Sequence, residues 1–395
     1  MDMVIPEAAG FSSERLMRIR PVLQRYVDEK KLAGILSLIA RGGKIVHCEK
    51  VGWADIEAVK PMQEDTIFRI YSMSKPITTT AVMMLYEEGR FRLTDPVWQY
   101  IPAFKDLKVL DNTAGSGVRY VPLNRPITIH DLLTHTAGLS YGFEDNVYID
   151  ELVRKNVWAV MDTKPDVTLE EMIGFITQLP LANQPGTFFR YSLATDVLGY
   201  LVQLVAGRPF EDFLKQCIFE PLGMVDTAFY VPAEKVGRFS AVYGPDEKLG
   251  LKVVDPVNNP KSLNPPTCCS GGGGLVSTAG DYLRFCQMLL NGGELEGTRL
   301  LGRKTVELMM TNNLPKGVLL DDGSGFGLGG AVVLDLGLTK GLGSAGTYTW
   351  GGAANTNFWI DPKEDLIGIL MLQFMPGDTY PVVADFHTLT YQAMV

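Results

Sequence analysis

The sequence lacks the features that direct proteins into membranes or onto nucleic acids. No uninterrupted apolar run among its 395 residues approaches the roughly 18 residues that a membrane-spanning helix needs. Its 36 lysine and arginine residues are outnumbered by 45 aspartate and glutamate residues, which gives a net charge of −9. Nucleic acids and anionic membranes attract basic surfaces, so we expect neither as a partner. The first residues lack the basic segment and apolar core of a secretory signal, and we therefore expect a cytoplasmic protein.

Cysteine and histidine are also scarce. The cysteines are odd in number and none are spaced like zinc ligands: Cys48, Cys217, Cys268, Cys269 and Cys286. Free thiols in a reducing compartment are the simplest interpretation of this pattern. His130 and His135 lack the intervening glutamate of an H-E-x-x-H zinc site, so a structural role is favoured for both. The sequence therefore predicts no metal and no organic cofactor.

The two ends of the chain carry strand patterns, and the middle is rich in helical segments. Residues 35–40 and 44–51 flank a glycine turn, and residues 357–360 and 366–373 flank a second turn, so each pair predicts a β-hairpin. Strands at both ends with helices between them indicate an α/β sheet domain interrupted by an insertion. We predict that residues 1–89 and 236–395 form the sheet domain. Residues 90–235 are then a mostly helical domain.

Ser72 and Lys75 form a Ser-x-x-Lys motif at the start of a predicted helix. A spacing of three places the hydroxyl and the amine on one face of the helix, one turn apart. A serine attacks a carbonyl once a base takes its proton, and a partly buried lysine can be that base. The helix N-terminus adds positive partial charge near a developing oxyanion. Since the motif is short, a solvated helix start explains it equally well when it is considered alone.

Two later segments could complete such a site. Tyr191 begins a helix after a glycine turn, where a phenol can point into a cleft and transfer a proton. The segment Trp350-Gly351-Gly352-Ala353 ends a predicted strand, where a backbone N–H can stabilise an oxyanion. Each segment also has a structural interpretation: aromatic packing at a helix start for the first, and a glycine bulge for the second.

Ser140 is a competing nucleophile, because residues 138–142 fit the G-x-S-x-G pattern of α/β-hydrolases. That elbow requires a buried strand before the serine, whereas residues 129–133 have a helical pattern. A serine–acid–histidine order would also need a histidine downstream, and only His387 lies far enough along the chain. The pattern therefore disfavours Ser140.

Taken together, the three segments resemble the serine β-lactamase and penicillin-binding-protein superfamily. Its members carry S-x-x-K, Y-x-N-type and K-T-G-type elements along one cleft. More closely, the chain is similar to the bacterial esterases of that superfamily, the family VIII carboxylesterases. The similarity extends over nearly the whole chain and includes residues 68–76, 132–139, 271–281, 350–352 and 358–362.

The resemblance implies a β-lactamase/transpeptidase-like fold, with a mainly antiparallel sheet flanked by helices and a mostly helical insertion. The active site would lie in the cleft between the two domains. Ser72 would be the nucleophile, and Lys75 and Tyr191 would be the general-base pair, with the first proton acceptor left open. The backbone N–H groups of Ser72 and Ala353 would form the oxyanion hole.

Two departures from the superfamily pattern bear on the substrate. Leu193 replaces the asparagine of the tyrosine element, and Trp350 replaces the lysine of the K-T-G element. Both exchange polar recognition for apolar surface, so we expect neutral esters to be preferred over carboxylated β-lactams. The residues expected to line the substrate pocket are Trp350, Gly351, Gly352, Tyr141 and Phe143.

We therefore predict a serine hydrolase that cleaves short-chain carboxylic esters through an acyl-enzyme on Ser72. The partner is a small-molecule ester, and the oligomeric state is left open. A transacylase on the same scaffold is the nearest alternative, since both reactions share the acyl-enzyme. A peptidase or an efficient β-lactamase is disfavoured by Leu193 and Trp350. A non-catalytic binding protein would be expected to have lost Ser72, Lys75 or Tyr191.

Overall fold

The computed structural model describes residues 3–111 and 117–395, and its largest element is an eight-stranded sheet. We number its strands in chain order as β1 (Gly34–Arg41), β2 (Lys44–Asp55), β3 (Lys60–Pro61), β4 (Ser324–Phe326), β5 (Ala331–Val333), β6 (Tyr348–Gly351), β7 (Asn357–Asp361) and β8 (Leu366–Leu372). The spatial order is β4-β5-β6-β7-β8-β1-β2-β3, and every neighbouring pair is antiparallel. The predicted sheet of strands from both ends of the chain is confirmed, as are both hairpins.

Four short two-stranded ribbons accompany the main sheet. They pair Phe68–Arg69 with Val276–Ser277, Lys108–Leu110 with Tyr120–Pro122, Val242–Asp246 with Gly250–Asp255, and Glu294–Leu295 with Thr298–Arg299. The first ribbon lies directly before the Ser-x-x-Lys motif, so it ties that motif to the glycine-rich segment that follows residue 270.

Five longer helices pack around the sheet and beside it. We number them α1 (Ile19–Asp28), α2 (Ser74–Glu87), α3 (Ala194–Ala206), α4 (Ala279–Leu290) and α5 (Val382–Tyr391). The shorter α-helices are Ser13–Leu16, Ile129–Leu133, Tyr148–Val153, Ala159–Thr163, Leu169–Ile176, Phe210–Leu214, Glu220–Leu222, Pro260–Leu263, Arg303–Met309 and Leu336–Thr339. None of the helices in the described ranges combines the length and the apolar character that crossing a bilayer requires.

The central strands are buried on both faces, which explains their continuous apolar sequence. Every residue of β8 is buried, and so is all of β1 except its last residue. Alternate β1 side chains enter two different cores. Leu36 and Leu38 join the cluster that contains residues of α2, α3 and α4. Ile35 and Ile39 join the cluster that contains residues of α1 and α5. The sheet thus separates two helical layers, because successive side chains of a strand point to opposite faces.

Most of the regular secondary structure described between residues 90 and 235 is helical, and the ribbon of residues 108–110 and 120–122 adds two short strands. Helix α3 of this region packs against α2, which begins at the Ser-x-x-Lys motif. The division into a 1–89/236–395 domain and a 90–235 domain stays a proposal.

Gly368 offers a test of the packing on the central strand. A β-carbon at this position of β8 would collide with the indole ring of Trp359, which is itself buried. Since overpacking in a rigid core is destabilising, Gly368→Ala should lower the free energy of unfolding by about 3 kcal/mol. Urea denaturation followed by circular dichroism would measure the change.

Gly174 is a matched control, because it lies within the helix Leu169–Ile176 and a β-carbon there meets no atom within 4 Å. Gly174→Ala should leave stability unchanged or raise it by up to about 1 kcal/mol. Equal effects of the two substitutions would contradict the proposed packing of Gly368 against Trp359.

Candidate active site

Ser72 lies in a short 3₁₀ turn, Tyr71–Met73, that leads directly into α2. Lys75 occupies the first turn of α2 and is completely buried. Its Nζ lies 3.2 Å from the Ser72 Oγ, so the spacing of three brings the hydroxyl and the amine into hydrogen-bond contact. Tyr71 adopts a left-handed backbone conformation, with φ of 42°, and this turns the chain sharply at the serine.

Lys75 Nζ has two further partners from distant parts of the chain. It lies 3.1 Å from the Tyr141 hydroxyl and 2.5 Å from the Gly272 carbonyl oxygen. A lysine ammonium has three N–H donors. The three acceptors of Ser72, Tyr141 and Gly272 match them in number, which makes burial of this group tolerable.

Tyr191 lies just before α3, and its ring is close to the same amine. Lys75 Nζ is 4.6 Å from the centroid of the Tyr191 ring. The Tyr191 hydroxyl accepts a 3.4 Å hydrogen bond from Trp350 Nε1. The predicted hydroxyl, amine and phenol thus converge on one site, although the phenol whose hydroxyl contacts Lys75 is that of Tyr141.

The placement of Tyr141 was missed by sequence reasoning, which assigned it only to the substrate pocket. The Tyr141 side chain is buried, and burial raises its pKa well above the ordinary value, with the negative charge of Asp196 adding to the effect. The phenol therefore stays protonated beside Lys75. The only local signal was the pair of glycines, Gly138 and Gly142, whose left-handed conformations bend the loop that carries it.

His135 packs against the ring of Tyr191. Its ring lies 4.9 Å from the ring of Tyr191, and its Nδ1 is 3.2 Å from Ser192 Oγ. Burial lowers the pKa of His135 well below the usual range, and the positive charge of Lys75 lowers it further. The imidazole is therefore neutral. Within the described residues no group of three or more His, Cys, Asp or Glu is placed to hold a metal ion.

The competing serine has a different environment. Ser140 Oγ is buried, donates a hydrogen bond to the Asp150 carboxylate and accepts one from the Gly142 N–H. The preceding segment is the helix Ile129–Leu133, as predicted, and not the strand that a nucleophile elbow requires. This hydroxyl holds a loop together.

The glycine-rich strand end lies against the serine turn. Gly352 follows β6, and a β-carbon there would be 2.5 Å from the Ile70 carbonyl oxygen, so only glycine allows this approach. The next residue, Ala353, is exposed at the edge of the site. The predicted oxyanion donors, the N–H groups of Ser72 and Ala353, belong to these two adjoining segments.

Aromatic side chains cluster around the ring of Tyr191. Trp350 packs 5.4 Å from the Tyr191 ring and 5.2 Å from the Phe326 ring. Phe143 stacks on Tyr141 at 4.7 Å with an interplanar angle of 5°, and it is 69% exposed. The predicted pocket residues Trp350, Tyr141 and Phe143 therefore form one apolar rim next to Lys75.

Comparison with known proteins agrees with this geometry. The Beta-lactamase family profile matches residues 19–391. The chain belongs to the β-lactamase family. It is 31% identical to Esterase EstB of Burkholderia gladioli over 90% of this chain and 89% of that protein. It is 38% identical to Protein Rv1367c of Mycobacterium tuberculosis, with the same two coverages.

Comparison with solved structures gives the same result. EstCE1, described as a hydrolase with promiscuous acyltransferase activity, superimposes with a TM-score of 0.80 at 28% identity and covers 96% of this chain and 99% of that chain. Simvastatin synthase of Aspergillus terreus gives a TM-score of 0.81 at 23% identity, covering 96% and 98%, and supports the fold alone. The predicted fold and the resemblance to the esterases of this superfamily are confirmed, and the protein is a serine hydrolase of the β-lactamase family.

Leu193, which replaces the asparagine of the superfamily's tyrosine element, packs in the protein core. Leu193 is 1% exposed and belongs to the main hydrophobic core. An asparagine there would bury an amide among apolar side chains, which is unfavourable without hydrogen-bond partners. The leucine thus fills this core position with apolar surface and stabilises the start of α3.

The two phenols can be separated by matched substitutions. Tyr191→Phe should lower the turnover of a chromogenic short-chain ester about 100-fold or more, because a positioned proton-transfer group is lost. Tyr141→Phe should lower it about tenfold, because one N–H of the buried lysine loses its acceptor. Steady-state kinetics of the two variants, with folding checked by circular dichroism, would measure both. A larger loss in Tyr141→Phe than in Tyr191→Phe would assign the proton transfer to Tyr141.

Proposed function

We propose that this protein is a carboxylesterase that hydrolyses short-chain esters through an acyl-enzyme on Ser72. The observation that carries the proposal is the 3.2 Å contact between Ser72 Oγ and the buried Lys75 Nζ at the N-terminus of α2. A hydroxyl, a base and a helix N-terminus are the parts that nucleophilic attack on an ester carbonyl requires. The named activity of Esterase EstB, whose sequence is similar along most of its length, supports the same reaction class.

In the acylation step, Ser72 Oγ forms a bond to the ester carbonyl carbon as its proton leaves to a base. A neutral Lys75 amine could donate its two N–H groups to Tyr141 and Gly272 while its lone pair faces Ser72, so we favour Lys75 as the first acceptor. The backbone N–H groups of Ser72 and Ala353 would stabilise the oxyanion. Collapse of the intermediate breaks the ester C–O bond, and the leaving alkoxide takes a proton through Tyr191 or Lys75.

Deacylation repeats these steps with water in place of the serine. Water gives one proton to Lys75 or Tyr191 as its oxygen attacks the acyl carbon. The bond from the acyl carbon to Ser72 Oγ then breaks, and the serine recovers its proton. The products are one carboxylic acid and one alcohol, so the reaction needs no cofactor.

The rim indicates the kind of ester. Trp350 stands where the superfamily's K-T-G element has a lysine, and its indole N–H is directed to the Tyr191 hydroxyl. Together with Phe143 it offers apolar surface and no cation for a substrate carboxylate. We therefore propose neutral, apolar esters as substrates and at most weak hydrolysis of β-lactams. Gly351 and Gly352 would contact the substrate through their backbone, since a β-carbon at either position would face Asn357 or Thr356.

Acyl transfer to an alcohol is the second candidate. The acyl-enzyme is common to both reactions, so the site geometry suits either one. The description of EstCE1 as a hydrolase with promiscuous acyltransferase activity favours keeping this alternative. A small-molecule ester as the partner is also a proposal and depends on the residues around Ser72. A cytoplasmic location is a further proposal and depends on the cysteine pattern and the composition.

The assignment of the nucleophile is tested by two serine variants. Ser72→Ala should lower turnover of a chromogenic short-chain ester by about 10³-fold or more, because no other group can form the acyl-enzyme. Ser140→Ala should keep the rate within about tenfold, while loss of the hydrogen bond to the buried Asp150 should lower stability by ~1–3 kcal/mol. Kinetics and thermal denaturation would measure these effects. The reverse pattern of rates would move the nucleophile to Ser140.

The choice between hydrolysis and transfer is tested by product analysis. With a short-chain ester and a small added alcohol, we expect the free acid to predominate, because the exposed rim at Phe143 leaves the acyl-enzyme open to water. Chromatography would give the ratio of acid to new ester, and Ser72→Ala would serve as the blank. Predominant formation of the new ester at low alcohol concentration would instead support the transacylase.

A further inference from the structure

A buried carboxyl group lies behind the proposed base. Asp196 is in the first turn of α3 and is completely buried. Its Oδ1 accepts hydrogen bonds from Ser270 Oγ at 2.5 Å and from the Gly272 N–H at 3.1 Å. Its Oδ2 is buried without a hydrogen-bond partner among the described residues. A half-satisfied buried carboxyl is unfavourable, so a role for this group is expected.

Gly272 connects this carboxyl group to Lys75. Its N–H donates to Asp196, and its carbonyl oxygen accepts the 2.5 Å hydrogen bond from Lys75 Nζ. A β-carbon at Gly272 would lie 2.6 Å from Asp196 Oδ2 and 2.6 Å from the Tyr141 hydroxyl. The free carboxyl oxygen and the Tyr141 phenol therefore flank the same glycine on the side of the lysine.

The charges around Lys75 leave Asp196 as its electrostatic partner. Titratable groups that interact with Lys75 or Asp196 in the described residues include His135, Tyr141, Tyr191 and Cys268. His135 is neutral, burial keeps Tyr141 protonated, and burial raises the pKa of the Cys268 thiol to about 12. Burial also raises the pKa of Asp196, while the Ser270 hydrogen bond, the Lys75 charge and the Gly272 N–H oppose that change.

We propose that Asp196 is a positioning residue that holds Lys75 against Ser72, both by anchoring Gly272 and by supplying the negative charge that balances the lysine. The inference rests on the proposed function, because it requires Lys75 to act on Ser72. When the lysine takes the serine proton it becomes positive in a buried site. A carboxylate nearby stabilises that charge in the transition state more than in the resting amine.

The central experiment compares Asp196→Asn with the wild type over a range of pH, using a chromogenic short-chain ester. The amide keeps an oxygen acceptor for Ser270 and Gly272 but carries no charge. We expect kcat to fall about tenfold or more with KM nearly unchanged. The acid limb of the kcat/KM profile should move to lower pH, because removing a negative charge disfavours the protonated lysine.

Ser270→Ala provides a second, milder variant that removes one donor from Asp196 Oδ1. Since hydrogen bonds to a carboxylate favour its charged form, their loss should raise the pKa of Asp196. The acid limb should therefore move in the same direction as in Asp196→Asn but by less, because Asp196 then carries less negative charge to favour the protonated lysine. If Asp196→Asn does not fold, this variant alone decides, and a wild-type rate and pH profile in folded Ser270→Ala would overturn the proposal.

Asp281→Asn is the matched control, because Asp281 is also a buried carboxyl in the first turn of a helix. It bonds to the Asp226 N–H at 2.7 Å and to Thr227 Oγ1 at 2.9 Å. Thermal denaturation should show a loss of stability for this variant, while its pH profile should match the wild type. An Asp196→Asn enzyme with a wild-type pH profile and a kcat within about twofold would overturn the inference.

The failure of this inference differs from the failure of the proposed function. An active Ser72→Ala enzyme would reject the esterase mechanism whatever Asp196 does. An inactive Ser72→Ala enzyme together with a normal Asp196→Asn enzyme would reject only the role of Asp196.

Discussion

The burial of the Lys75 amine is the constraint on which the site depends. A lysine nitrogen that has lost all contact with water must find acceptors within the protein, since an unpaired buried charge is strongly unfavourable. Here they come from three separate segments: the serine turn, the loop that carries Tyr141, and the glycine-rich segment at Gly272. Each segment must be held within hydrogen-bond distance of the amine, and buried contacts of the surrounding fold hold it there.

The supports of those segments are themselves buried. The Tyr282 hydroxyl on α4 donates to the Met73 carbonyl at 2.9 Å, which fixes the serine turn from below. Ser74 Oγ accepts from the Leu275 N–H at 3.2 Å, which joins the start of α2 to the glycine-rich segment. Helices α2 and α4 therefore hold the two sides of the site through hydrogen bonds made in the core, where water does not compete.

The parts of the site that depend on local spacing could be predicted from the sequence. A separation of three residues brings Ser72 and Lys75 together on any helix, and alternating patterns around short turns gave both hairpins. Tyr191 required the resemblance to a known superfamily, because nothing in its neighbourhood specifies a contact with residue 75. The G-x-S-x-G match at Ser140 shows the converse, since a local pattern without its strand-to-helix context carries no chemistry.

Tyr141 and Asp196 could not be predicted, for a physical reason. Their contacts with Lys75 and Gly272 join residues 66 and 76 positions apart in the sequence, and they exist only because α2, α3 and the glycine-rich segment pack together. A tyrosine in a loop and an aspartate in the first turn of a helix each have common structural explanations. What marks them as unusual is that both side chains are buried and that Asp196 Oδ2 has no hydrogen-bond partner among the described residues.

The exchange of a lysine for Trp350 affects the mechanism as well as the substrate. A lysine at that position would place a cation beside the Tyr191 hydroxyl, whereas the indole N–H of Trp350 is a neutral donor to it. Of the residues described around Tyr191, Lys75 lies with its Nζ 4.6 Å from the ring centroid. With no cation at position 350, Lys75 is the favoured acceptor of the Ser72 proton. Because the lysine becomes positive as it accepts that proton, a site with tryptophan at position 350 depends more on a carboxylate beside the lysine, and Asp196 occupies that place.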